Sequence, residues 1–318
     1  MQFQRVAARV LLAAGLCVPA TPCFSQVDSA LPQGEFRIST NVDRVVLPVT
    51  VVRRGDKVVA NLTKESFRVF EDGRPQEIRG FFYRDIPLTV GLVMDSSSSM
   101  APKRSTAILA ALHFLQLSNP QDEAFVVDFN EKVRFGLPQS APFSANPEEL
   151  RAALMGLPCQ GRTALYDAVV AAAEHLSRGT REKKALIVVS DGGDNASRHR
   201  LEETIEAVER SNAIVFAIGV FDPDDEDRNP KVLKQLARPT GGEAFFPQDP
   251  RELPGILAHI AQVLRSQYTI TFAPASNAED GGFHRVQVIA TEPGGTRRLP
   301  LRTRAGYYAR ARAAAASE

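Results

Sequence analysis

Two hydrophobic rhythms divide the chain. Between Glu35 and Tyr83 apolar and polar positions alternate, with Phe36, Ile38, Thr40 and Val42 on one face, followed by the β-branched run Val45 to Val52, broken only by Pro48. This period of two predicts strands. Gly55-Asp56 and Asp72-Gly73 read as turns, so Phe67 to Glu71 and Gln76 to Phe82 are expected to form a hairpin around the second. Beyond Pro87 short apolar runs at 88–94, 124–129, 185–189 and 213–220 alternate with stretches of helical length at 102–117, 147–155, 164–178, 201–211, 230–238 and 250–266. That alternation predicts an α/β fold, a doubly wound, mostly parallel sheet with helices on both faces. The close succession of 124–129 and 133–137 marks one antiparallel edge strand. From Gln267 the pattern returns to β, at 268–272, 283–291 and 299–308. The expected layout is an N-terminal β segment at 35–83, an α/β domain at 87–266, a C-terminal β segment at 267–309 and a disordered tail at 310–318, the two β segments pairing into a small module.

The first residues follow neither rhythm. Arg5 and Arg9 precede the apolar run Val10 to Val18, and small or polar residues follow to Ser25. This order predicts a secretory signal peptide over 1–25, cleaved after Ala20 or Ser25. This apolar run is too short to span a membrane and no second hydrophobic span follows, so the processed chain is expected in the periplasm or secreted. Removal of Arg5 and Arg9 moves the formal charge from +1 to −1. Neither value gives a diffuse electrostatic reason to bind nucleic acid. With 3 Cys, two of them in the leader region, a disulfide framework is not supported.

In open α/β sheets ligands bind beyond the carboxyl ends of the strands. Oxygen-bearing residues collect there: Asp95-Ser96-Ser97-Ser98-Ser99 after the first buried run, Gly161-Arg162-Thr163 before a core helix, and Ser190-Asp191-Gly192-Gly193-Asp194 after a later run. Asp95, Ser97 and Ser99 alternate, so a chain turning out of its strand can aim three oxygens at one point, with Thr163 and Asp191 closing the shell. No His or Cys takes part. An all-oxygen set suits Mg²⁺, Mn²⁺ or Ca²⁺ and is poor for zinc. The run Asp222 to Asp227 follows the buried run 213–220, but lacks the Gly and Glu of a Ca²⁺ loop and is expected to be a solvated loop.

The order Asp-x-Ser-x-Ser, then Thr, then Asp resembles the metal-ion-dependent adhesion site of von Willebrand factor A domains, matched here by Asp95, Ser97, Ser99, Thr163 and Asp191. The layout from Phe67-x-Val-x-Glu-Asp-Gly73 to the closing Arg304-Ala-Gly-Tyr-Tyr308 is similar to bacterial secreted proteins of that family. The resemblance implies a non-enzymatic, cation-dependent protein-binding module whose metal, held by two carboxylates and three hydroxyls, captures an Asp or Glu carboxylate of a partner protein. The family usually has Gly where Ser98 stands, which predicts strain if that position needs a positive φ. Two other readings remain open. One is a phosphatase of the haloacid dehalogenase type using Asp95 as nucleophile, although Ser97 stands where that chemistry wants an acid. The other is a purely structural metal.

Overall fold

The computed structural model describes residues 44–53, 58–156, 158–221, 228–274 and 281–309. The expected leader 1–25, the alternating stretch 36–42, the Gly55-Asp56 turn, the run 222–227 and the tail 310–318 lie outside the described residues.

Four strands come first: β1 (Val45–Val51), β2 (Phe67–Glu71), β3 (Arg74–Gln76) and β4 (Gly80–Tyr83). The α/β part follows with β5 (Leu88–Asp95), α1 (Arg104–Gln116), β6 (Glu123–Phe129), β7 (Val133–Phe135), α2 (Pro147–Leu154), α3 (Leu165–Ser177), β8 (Lys183–Ser190), α4 (Leu201–Ser211), β9 (Ile214–Gly219), α5 (Pro230–Ala237), β10 (Ala244–Phe245) and α6 (Leu253–Arg265). The chain closes with β11 (Tyr268–Phe272), β12 (Phe283–Thr291), β13 (Arg298–Leu299), β14 (Leu301–Arg302) and β15 (Gly306–Tyr308).

The central sheet has the order β10-β9-β8-β5-β6-β7, and every pairing is parallel except β6 with β7. The doubly wound fold and its antiparallel edge are therefore as the sequence predicts. The sheet is apolar on both faces because helices cover both. Val90, Leu92 and Met94 of β5 pack with α1 and α6, whereas Val93 between them packs with α3 and α5. A continuous apolar run is what a strand buried on two sides requires. Helix starts follow local chemistry: Asn146 and Asn229 cap α2 and α5 through their side chains, each with Pro in the first turn. β10, only two residues long, is too short to leave a hydrophobic pattern and was not expected.

The flanking strands form two further sheets, β14-β1-β11-β4 and β13-β12-β2-β3, with β15 also on β12. Strands from before and after the α/β part pair directly, β1 with β11 and β2 with β12. Leu47, Val49, Val69, Ile270, Phe272 and Val288 share the core between them. The expected hairpin needs correction. β2 pairs with β3 around Asp72 and Gly73, both at positive φ, but the return strand ends at Gln76. Residues 80–83 pair instead with β11 in the other sheet. The turn chemistry of Asp-Gly fixes the first three pairs, after which Ile78 enters the core and redirects the strand.

The closing Arg304-Ala-Gly-Tyr-Tyr308 run joins the parts. Arg304 donates to Asn212 Oδ1, at the left-handed C-cap of α4, and to the Val46 carbonyl of β1. Tyr307 donates to Glu71 of β2. No helix among the described residues is long and apolar enough to cross a membrane, and Cys159 is a free thiol.

Candidate functional site

β5 and β8 are parallel neighbours with Met94 level with Val189. The next step of each strand therefore places Asp95 beside Ser190, and Ser190 donates its hydroxyl proton to Asp95 Oδ2 over 2.6 Å. Asp95 Oδ1 accepts the Ser97 amide at 2.8 Å, a local turn that bends the chain off the strand end. A short 3₁₀ turn over Ser98–Met100 follows. It brings Ser97 Oγ within 3.2 Å of Ser99 Oγ, and Ser99 donates to Asp191 Oδ2 at 2.5 Å. Four of the five expected residues thus meet in one hydrogen-bonded chain of oxygens.

Thr163 reaches the same end by its backbone. Its amide donates to Asn195 Oδ1 at 3.0 Å, and its carbonyl accepts the amides of Asn195 and Ala196. The Thr163 loop is thereby tied to the loop after Asp191. It is also tied to the first loop, because Gln160 N donates to Ser96 O and both the amide and hydroxyl of Ser98 donate to Gly161 O. Ser98 is not among the residues with positive φ. The strain expected from a Ser in place of Gly is absent, and the side chain links the Asp95–Ser99 loop to the Thr163 loop. Gly192 is different: its φ is +81°, and a Cβ there would lie 2.5 Å from the Asn229 carbonyl oxygen. Only glycine meets both demands. Asn229 N in turn donates to Asp191 O.

Asp95 and Asp191 are 1 % and 2 % exposed. Burial first, and the neighbouring Asp191 carboxylate second, push the Asp95 carboxyl up to about 6; hydrogen bonds from Ser190 and Ser97 only partly oppose them. Among the described residues no Lys or Arg side chain forms a hydrogen bond or ion pair with Asp95. A buried carboxylate beside another, with hydroxyls as its company, is expensive in the absence of positive charge. The donor set therefore fits a hard divalent cation, which Asp95, Ser97, Ser99, Thr163 and Asp191 would hold. Among the described residues no three His, Cys, Asp or Glu side chains gather as a metal site, so hydroxyls would have to complete the shell.

Several supporting residues escaped the sequence reading. Ser190 orients Asp95, and Asn195 anchors Thr163. Ser96 donates to Asp128 Oδ1 and accepts from Arg104, whose guanidinium also bonds Asp128 Oδ2 at 2.8 Å and the Leu154 carbonyl at 3.2 Å. The signal for Asp128 was available, since it is the lone charge inside the apolar run 124–129. Burial raises the Asp128 carboxyl, and the bonds from Ser96 and Arg104 work against that rise. The charge of Asp128 is met from within the protein, unlike that of Asp95.

Residues 90–259, just over half of the chain, match the model of the von Willebrand factor type A domain. None of the functionally curated proteins is similar to the chain in sequence. Among solved structures, a von Willebrand factor type A protein from Catenulispora acidiphila superposes with a TM-score of 0.52 at 16 % identity, over 79 % of this chain and 75 % of that one. The vWF domain of the type V pili tip protein Mfa5 from Porphyromonas gingivalis gives a TM-score of 0.48 at 14 % identity, over 57 % and 95 %. Because the matched span exceeds half of the chain, the chain belongs to the von Willebrand factor type A domain family, whose members are in general non-enzymatic protein-interaction modules.

Proposed function

We propose that Asp95, Ser97, Ser99, Thr163 and Asp191 hold a divalent cation, Mg²⁺ or in its place Mn²⁺ or Ca²⁺, and that the exported protein captures an Asp or Glu carboxylate of a partner protein there. The observation that carries this reading is Asp95, buried beside Asp191 and touched by hydroxyl and amide donors without a cation. When bound, the ion supplies the missing positive charge and an open position for an incoming carboxylate. The chain's own contribution is placement. Ser190 and the Ser97 amide fix the Asp95 carboxylate, Gly193 N holds Asp191 Oδ1 at 3.0 Å, and Asn195 holds the Thr163 loop. Export is supported by Arg5 and Arg9 ahead of the apolar run Val10 to Val18.

Titration calorimetry with Mg²⁺ and Mn²⁺ tests the reading. Binding is expected in the parent and lost in both Asp95→Ala and Asp191→Ala; full affinity in both variants overturns it. The near-complete burial of the two carboxylates also favours a second reading, a metal that serves structure alone. In that case chelation lowers thermal stability, while capture of envelope proteins is the same with and without chelator. A phosphatase reading gains nothing from the geometry, because Ser97, with no acid function, stands two residues after Asp95. Turnover of a generic phosphoester, lost in Asp95→Asn, would restore it.

A further inference from the structure

The loops that frame the site carry a charge pattern of their own. Lys132 follows β6, Arg162 immediately precedes Thr163, Arg198 lies in the loop after Asp191, and Arg228 precedes Asn229, whose amide binds the Asp191 carbonyl. All four are exposed. Hydrogen bonds knit these loops into one rim: Ala164 N to Asn130 O, Lys132 N to Asn130 Oδ1, Arg162 N to Glu131 Oε2, and Asn195 and Ala196 N to Thr163 O.

Among the described residues the acids on the same rim accept hydrogen bonds. Glu131 accepts the Arg162 amide; Asp167 accepts the amides of Arg198 and His199 and the His199 ring; Asp194 accepts Ser197 and the Tyr166 amide. Among the described residues none of the side chains of Lys132, Arg162, Arg198 and Arg228 forms an ion pair. These bonds hold the rim carboxylates in place without pairing them to the four cations, whose side chains, among the described residues, remain unpaired and exposed around a site that would hold a further cation.

We propose that these four side chains form a collar that selects an acidic partner segment: one carboxylate meets the site, and its neighbours in sequence meet the collar. This rests on the metal-dependent reading above and specifies its partner. A lone carboxylate gains only from the site. A run of them gains from each exposed pair as well, and the gain is screened by salt because the pairs are exposed. The collar also has the opposite effect on the ion itself, which it repels. Neutralising the collar therefore moves two affinities in opposite directions, a signature that a merely structural role would not give.

The test uses the full processed chain with saturating Mg²⁺ and two fluorescent peptides, an oligoglutamate and a Gly/Ser peptide carrying one glutamate. Fluorescence anisotropy at low ionic strength is expected to show a preference of roughly tenfold for oligoglutamate, fading at high salt. In the quadruple variant Lys132→Gln, Arg162→Gln, Arg198→Gln, Arg228→Gln the preference should vanish, while Mg²⁺ affinity without peptide tightens. The run Asp222 to Asp227 is left unchanged throughout, so its charge cancels from the comparison. Mg²⁺ binding without a peptide preference, or a preference that survives in the quadruple variant, overturns the collar alone. Failure of the parent to bind Mg²⁺ overturns the underlying reading and the collar with it.

Discussion

The two ends of the central sheet treat buried carboxylates in opposite ways. At the amino end Asp122 accepts the amides of Leu88 and Asn119 and is met by Arg265, which also bonds Asp85 at 2.9 Å. Lys183, at the start of β8, donates to the Leu264 carbonyl on the last turn of α6. That end brings its own cations, and they pin α6 just before the chain enters β11. At the carboxyl end Asp128 has Arg104, but Asp95, equally buried, has hydroxyls, one amide and a second carboxylate nearby. The difference teaches where an outside charge is needed. The fold meets Asp122 and Asp128 with its own guanidinium groups and gives Asp95 none among the described residues, which is the contrast the proposed cation would resolve.

The largest expected effect breaks the amino end. Arg265→Leu leaves Asp122 buried without its guanidinium and should cost about 3–5 kcal/mol in urea unfolding. A loss below about 1 kcal/mol would mean that the amide donors alone suffice. Next comes the buried amine. Burial, then the Arg265 charge, push the Lys183 ammonium down to about 8 from 10.5, against the pull of Asp85 and Asp122. Between those values the unfolded chain holds a proton that the folded chain has released, so stability rises with pH across the window, by up to about 3 kcal/mol. Lys183→Met should remove that rise relative to the parent; identical slopes in both proteins would dismiss it.

At the carboxyl end the sign inverts. Asp95→Asn removes a buried charge that no cationic side chain among the described residues pairs, so the metal-free variant should be more stable than the metal-free parent, by about 2 kcal/mol. Mg²⁺ at a hundred times its dissociation constant should add about 2.7 kcal/mol to the parent and nothing to the variant. Calorimetric melting with chelator and with Mg²⁺ reads both. A destabilised metal-free variant would show that Asp95 serves the fold rather than a cation.

The same contrast explains what was legible in the sequence. Buried strands and amphipathic helices write their periods over many residues, so the parallel sheet and its antiparallel edge could be read directly. Asp95, Ser97, Ser99 and Asp191 sit at strand ends, where spacing along the chain becomes proximity in space, and the structure brings them together. Ser190, Asn195 and Arg104 were not legible as site residues. Their roles depend on strand register and on contacts across 95, 32 and 24 positions, and no local pattern encodes such distances. The hairpin from Gln76 to Phe82 misled for a related reason, because the partner of residues 80–83 is β11, nearly two hundred positions later.

The smallest expected effect concerns Ser98, where the family usually has Gly. Since φ there is not positive, glycine relieves nothing and adds conformational freedom to the unfolded chain, at a cost of about 0.5–1 kcal/mol. It also deletes the 3.2 Å bond from the Ser98 hydroxyl to Gly161 O, an exposed contact worth at most about 1 kcal/mol. That bond ties the Asp95–Ser99 loop to the Thr163 loop. Ser98→Gly should therefore lower the melting temperature by a few degrees and weaken Mg²⁺ binding by a small factor, both measurable in one calorimetric series. A tighter Mg²⁺ site in Ser98→Gly would mean that the serine holds the two loops in a geometry the bound state must abandon. The carboxyl end would then be built to move on binding, whereas the amino end, with its charges already matched, is built to stay.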